Sequence, residues 1–171
     1  MARRTTGRIV TRRDDARNQP GFFGIGTERG KTSANLGTLW RSAACLGASY
    51  MFTVKGRYHP QASDTIKSWK HVPLWQFDTI EAFKTSLPRE CLLIGVELTD
   101  DAKPLETFAH PPRAAYLLGP EDGSLSAHTL SMCHDVIRFS SKFCLNVAAA
   151  GTVVMYDRAA KAHRNGTRVL P

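Results

Sequence analysis

The chain has 171 residues, of which 42% are hydrophobic, and a formal charge of +8; this suits a single globular domain and excludes wholesale disorder. No apolar run approaches the roughly 20 residues that span a bilayer, and the start lacks the apolar core of a secretory signal. Cys45, Cys91, Cys133 and Cys144 form no CxxC pair, so the expectation is reduced thiols in a cytoplasmic protein, with neither a disulfide framework nor a zinc site.

The charge sits at the ends. Residues 1–20 hold Arg3, Arg4, Arg8, Arg12, Arg13 and Arg17 against Asp14 and Asp15, and residues 158–171 hold Arg158, Lys161, Arg164 and Arg168 with no acid. Each end is therefore +4 and the body between them is neutral. Two Arg-rich ends on a neutral body predict contacts to a phosphate backbone, because guanidinium pairs bidentately with phosphate. The expected organisation is a basic flexible arm over 1–20, a domain over 21–158 and a basic tail over 159–171.

After Pro20, the stretch Gly21–Gly26 reads as a first buried strand. The following Gly26-Thr27-Glu28-Arg29-Gly30-Lys31-Thr32 imitates a phosphate-binding loop. That cradle needs a glycine five residues before Gly30, where Ile25 stands, so nucleoside triphosphate binding is excluded. Ser33 or Asn35 is expected to cap a helix running to Leu46, with Gly47 as its stop. Tyr50–Val54 reads as a second strand, followed by a polar loop in which Lys55 and Arg57 are available to phosphates. A short helix over Asp64–Lys70, a strand over Leu74–Phe77 and a helix over Thr79–Ser86 come next. Cys91–Leu98 is a near-continuous apolar run, the pattern of a strand buried on both faces of a parallel sheet. Ala114–Leu118 is a strand leading into Gly119-Pro120-Glu121-Asp122-Gly123; Ser124–Met132 is a helix and Val136–Phe139 a last strand. From Cys144 to Arg158 the chain has no charge before Asp157, which predicts a terminal helix buried nearly all round. Strands alternate with helices, so the class is α/β with a mostly parallel sheet flanked by helices.

Three segments carry unusual residues: Asn35-x-Gly37-x-x-x-Arg41-x-Ala43 on the first helix, Leu118-Gly119-Pro120-Glu121 after a strand, and Leu145-Asn146-Val147-Ala148 at the start of the last helix. The second and third are placed to line the crevice at the carboxyl ends of the strands. His128, Cys133 and His134 match no common metal spacing. Trp75 is expected in the core, while Trp69 and His71 stay open between core and base stacking.

In this order, the three segments resemble the SPOUT superfamily of RNA methyltransferases, and within it the SpoU-type, TrmH-like branch that methylates ribose 2′-hydroxyls. The resemblance covers about residues 21–158. It implies an α/β domain whose C-terminal part threads a deep trefoil knot, S-adenosylmethionine as cofactor, a homodimer, and RNA as substrate, transfer RNA ahead of ribosomal RNA. It implies that Glu97, Leu98, Leu118, Gly119, Phe139, Cys144, Leu145 and Asn146 surround the cofactor. Arg41 matches the arginine that handles the ribose 2′-hydroxyl, with Asn35 and Glu121 orienting it and Glu121 a candidate proton acceptor. The arm residues, Lys55 and Arg57 are the expected RNA contacts. The chain departs from the pattern at Cys144 (serine in the family), at Phe139-Ser140 (Ile-Pro), at Ser124-Leu125 (Gly-Leu) and in a shortened loop after Ser140. These departures support a second reading, a catalytically silent RNA-binding or assembly protein on the same fold.

Overall fold

The computed structural model describes residues 21–58 and 67–164. The arm arginines Arg3, Arg4, Arg8, Arg12 and Arg13 lie outside the described residues, as do Arg168 and the first three residues of the helix expected over Asp64–Lys70, of which Ser68–Lys70 forms a single 3-10 turn. Among the described residues, seven strands run in chain order: β1 Phe23–Glu28, β2 Tyr50–Val54, β3 Leu74–Phe77, β4 Leu92–Val96, β5 Lys103–Pro104, β6 Ala114–Leu118 and β7 Asp135–Arg138. Four α-helices accompany them there: α1 Ser33–Cys45, α2 Ile80–Ser86, α3 Ala127–Met132 and α4 Val147–Arg164. The strands form one sheet in the order β3-β2-β1-β6-β4-β7-β5, and every pairing is parallel.

The inner strands are apolar at successive positions because both faces are covered. Ile25, Met51, Ile94, Tyr116 and Ile137 point into a core shared with Leu39 of α1 and Met155 of α4. Phe52, Leu93, Ala115 and Leu117 point to the other side, against Ile80 and Phe83 of α2. The sheet leaves no room at Gly26, where a Cβ would sit 2.0 Å from the carbonyl oxygen of Phe52 on the paired strand. A backbone atom cannot swing away, so Gly26→Ala should destabilise the fold by about 3 kcal/mol or more, read as a lower denaturation midpoint.

Three expectations change. The strand β5 has no apolar side chain to announce it and exists by pairing with Ile137 and Arg138. Trp75 is 47% exposed rather than in the core: β3 is an edge strand, and the indole stacks on Tyr50 with ring centroids 5.4 Å apart. The terminal helix is buried on one face only. Ala148, Gly151, Val154 and Met155 face the core, while Val153 is 41% and Tyr156 64% exposed. On the inner face α4 passes so close to α1 that a Cβ on Gly151 would meet Leu39 Cδ1 at 2.4 Å.

The helix also continues to Arg164, beyond the domain end expected at residue 158. Part of the charge assigned to a free tail is structural. Arg158 is buried, donating to the carbonyls of Pro111 (2.7 Å) and Pro112 (2.8 Å) and to Tyr116 Oη (3.1 Å). Lys161 donates to the Phe108 carbonyl at 3.1 Å and pairs with Asp157 at 2.6 Å.

His110 completes this anchor. Its Nε2 lies 2.8 Å from Asp157 and its Nδ1 2.6 Å from Tyr116 Oη. With Arg158 donating to the Tyr116 oxygen, the neutral imidazole satisfies every group: Tyr116 donates to Nδ1, and Nε2–H donates to Asp157. Burial pushes the His110 pKa below its ordinary value of 6.5, against the opposing pull of Asp157, with Arg158 and Lys161 lowering it further. The folded state thus binds the proton less readily than the unfolded chain. The stabilisation is fully present above about pH 6.5 and is lost as pH falls through that value towards the folded pKa. Between about pH 7.5 and pH 5, the wild type should lose more unfolding free energy than His110→Gln, in which that position cannot titrate.

Candidate active site

The carboxyl ends of β4, β6 and β7 open onto a cleft of about 320 Å³. Its walls include Glu97 and Leu98 after β4, Leu118 at the end of β6, Phe139 after β7, and Cys144 and Leu145 before α4. Six of the eight residues expected around the cofactor therefore meet in one place. Gly119 and Asn146 stand just behind the wall and hold it. Glu97 accepts from Leu125 N at 2.7 Å through Oε2 and from Leu98 N at 3.1 Å through Oε1, fastening the 119–126 loop to β4. A Cβ on Gly119 would come within 3.2 Å of both Glu97 Oε2 and Leu125 N, so the glycine allows that bond to form.

Asn146 caps α4: its Oδ1 accepts from Ala148 N (2.9 Å) and Ala149 N (3.3 Å). Its Nδ2 donates to Asn35 Oδ1 at 3.1 Å, and Asn35 Nδ2 donates to Glu121 Oε1 at 3.2 Å. Glu121 also accepts from Lys31 N at 3.0 Å and Thr32 N at 3.1 Å. The backbone donors that resembled a phosphate cradle are thus taken by a carboxylate. The same turn is tied twice more, by Arg29 to the Ser124 carbonyl at 2.9 Å and by Lys31 to Asp122 at 2.6 Å. Burial raises the Glu121 pKa, but the Lys31, Asn35 and Thr32 hydrogen bonds outweigh it and hold the carboxyl below its ordinary value. A low-pKa carboxylate supplied with three donors anchors well and takes up a proton poorly.

Arg41 is not among these groups. It is exposed on α1, roughly 9 Å further along the axis than Asn35 at 1.5 Å per residue, and it does not line the cleft. Asn35 and Glu121 hold each other and Asn146 rather than Arg41. Lys55 pairs with the fully buried Glu28 at 3.5 Å, and Arg57 with Asp78 at 3.7 Å. Arg138 also lines the cleft; no motif singles it out, although it is the one cation in the last strand. Among the described residues, no group of three or more His, Cys, Asp or Glu side chains is arranged to hold a metal, and no helix is long and apolar enough to cross a membrane.

A parallel sheet with a cleft formed by the loops after three of its strands is the arrangement of an α/β ligand-binding domain. Residues 25–156 match the SpoU rRNA methylase family, and the chain belongs to that family. Its fold is similar to the A. aeolicus TrmH/SpoU tRNA modifying enzyme, with TM-score 0.77 and 14% identity over 88% of this chain and 80% of that one. It is also similar to the AdoMet-bound rRNA methyltransferase from Sinorhizobium meliloti, with TM-score 0.71 and 20% identity over 84% of this chain and 58% of that longer protein. A structure described for the 2-OH methylation of C/U34 on tRNA aligns with TM-score 0.70 and 22% identity, over 86% of this chain and 99% of that one. No curated protein matches the chain.

Proposed function

We propose that the chain is an S-adenosylmethionine-dependent RNA ribose 2′-O-methyltransferase, acting as a homodimer in the cytoplasm on transfer RNA in preference to ribosomal RNA. The observation that carries this reading is the hydrogen-bonded line Glu121–Asn35–Asn146, which fastens the three motif segments together beside one cleft. The cleft fits the cofactor. Its volume lies in the range of small-molecule sites, and Leu98, Leu118, Phe139 and Leu145 offer apolar surface to a purine. Glu97 and Glu121 suit a sulfonium cation, and Arg138 suits a carboxylate. When bound, S-adenosylmethionine supplies an electrophilic methyl group.

The chain's own residues supply position and charge. The Arg41 guanidinium, a donor with no acceptor atom, stabilises the alkoxide that develops on the ribose oxygen, while Glu121 serves as an anchor and the proton leaves to water. Because Arg41 stands away from its own cleft, a second copy brings it beside the neighbouring cofactor; the exposed Val153 and Tyr156 on α4 give that copy an apolar face. The trefoil knot belongs to the same reading, as what the family resemblance implies for the C-terminal part of the domain. The domain expected over 21–158 carries the chemistry, and the arm and tail serve RNA capture together with Lys55 and Arg57. Preference for transfer RNA is supported by the near-full-length match to the protein described for C/U34 methylation.

The exposed Cys144 at the cleft, a weaker donor than serine, favours the second reading, a silent RNA-binding protein. Calorimetric titration with S-adenosylmethionine, followed by nucleoside analysis of RNA treated with protein and cofactor, separates the two. Binding with a new 2′-O-methylated nucleoside is expected. A folded protein that binds RNA but no cofactor would overturn the enzyme.

A further inference from the structure

The loop between β7 and α4 carries Phe143, 73% exposed, the highest exposure of any large hydrophobic side chain among the described residues. The loop is tied at both ends. Ser140 N and Oγ donate to Glu106 at 3.2 and 3.0 Å, and Asn146 caps α4. Between them Ser141 Oγ donates to the Phe143 carbonyl at 2.9 Å. Ser141 and Cys144, on either side of Phe143, line the cleft, whereas Phe143 stands outside its wall. The ring is therefore presented to solvent at the cleft mouth by a braced loop, and a cofactor seated in the cleft would leave it uncovered.

The ring's neighbour indicates what covers it. Lys142 Nζ lies 5.5 Å from the Phe143 centroid and has no acidic partner among the described residues. A cation beside an aromatic face suits an anionic, planar partner; the second copy is already placed on the other apolar face, at Val153 and Tyr156 of α4. We propose that Phe143 stacks on a nucleobase of the RNA at the cleft mouth, with Lys142 against an adjacent phosphate. This rests on the methyltransferase reading, in which the ribose is brought to the cleft and its nucleotide or a neighbour lies within reach of the mouth.

The test measures binding of fluorescently labelled unfractionated transfer RNA and fragmented ribosomal RNA to the full chain and to Phe143→Ala, Phe143→Leu and Phe143→Trp. Calorimetry with S-adenosylmethionine and sedimentation accompany each variant. Stacking predicts RNA binding weakened at least about five-fold in the alanine variant. Leucine should also weaken it, tryptophan should restore it, and cofactor affinity and oligomeric state should stay unchanged. Wild-type affinity in the leucine variant, weakened cofactor binding with unchanged RNA binding, or a shift in oligomeric state would each overturn the proposal. A wild type that binds cofactor but neither RNA also overturns it, whereas one that binds no cofactor sinks the methyltransferase reading as a whole.

Discussion

Arg41→Ala is expected to lower the rate of methyl transfer by about 10²–10³-fold, the usual loss when one group stabilising transition-state charge is removed. The same substitution should leave the fold and the affinity for S-adenosylmethionine unchanged. Arg41 is exposed on α1 and lies outside its own cleft, so its removal opens no cavity and, in the neighbouring site, takes away a group aimed at the ribose oxygen rather than at the cofactor; surface changes of this kind usually stay within about 0.5 kcal/mol. Arg41→Lys is informative beside it. A lysine keeps the charge and loses the planar fork, so partial recovery would indicate charge stabilisation and none would indicate bidentate positioning. Single-turnover transfer from labelled cofactor to RNA checks both. An alanine variant as fast as the wild type would remove Arg41 from the chemistry.

What could be read from the residues depended on how local the cause was. The inner strands were legible because burial on both faces makes them apolar at successive positions, as in Leu92–Val96 and Ala114–Leu118. The two-residue β5 was not, since Lys103 and Pro104 become a strand only when β7 lies beside them. The uncharged run before Asp157 suggested a helix buried all round, but α4 meets the sheet on one side and leaves Val153 and Tyr156 exposed. Arg158 looked like part of a basic tail, and only the fold brings the Pro111 and Pro112 carbonyls to it.

The site divides in the same way. Its candidate residues were suggested by spacing that resembles a family, because each motif lies within a few positions of chain. Their partners were not, because Asn35 meets Glu121 across 86 residues and Asn146 across 111. Orientation of Arg41 by Asn35 and Glu121 was what the resemblance implied. The bonds run instead along Glu121–Asn35–Asn146, which makes these residues a brace for the cleft. Arg138 escaped notice because nothing in its immediate sequence distinguishes a cleft-lining cation from a solvated one.

The brace predicts the largest effect on cofactor binding. In Asn146→Ala, α4 loses the acceptor for Ala148 N and Ala149 N, a cap whose loss typically lowers stability by about 1 kcal/mol. Asn35 Oδ1 loses its donor at the same time, so the contact between the start of α4 and α1 is broken. The residues just before position 146, Cys144 and Leu145, form one wall of the cleft and are positioned by the cap that follows them. Affinity for S-adenosylmethionine should fall by at least about tenfold, equivalent to about 1.4 kcal/mol, while the protein stays folded. Asn146→Asp separates the two roles: its carboxylate still accepts from Ala148 and Ala149 at a helix N-terminus that favours negative charge, but it cannot donate to Asn35. If the cap alone positions the wall, the aspartate variant binds cofactor like the wild type. If the link to Asn35 matters, it binds as weakly as the alanine variant while recovering the stability lost there. Calorimetry and denaturation of the same three proteins decide between them, and an alanine variant with wild-type affinity would show that the cleft is shaped without the brace.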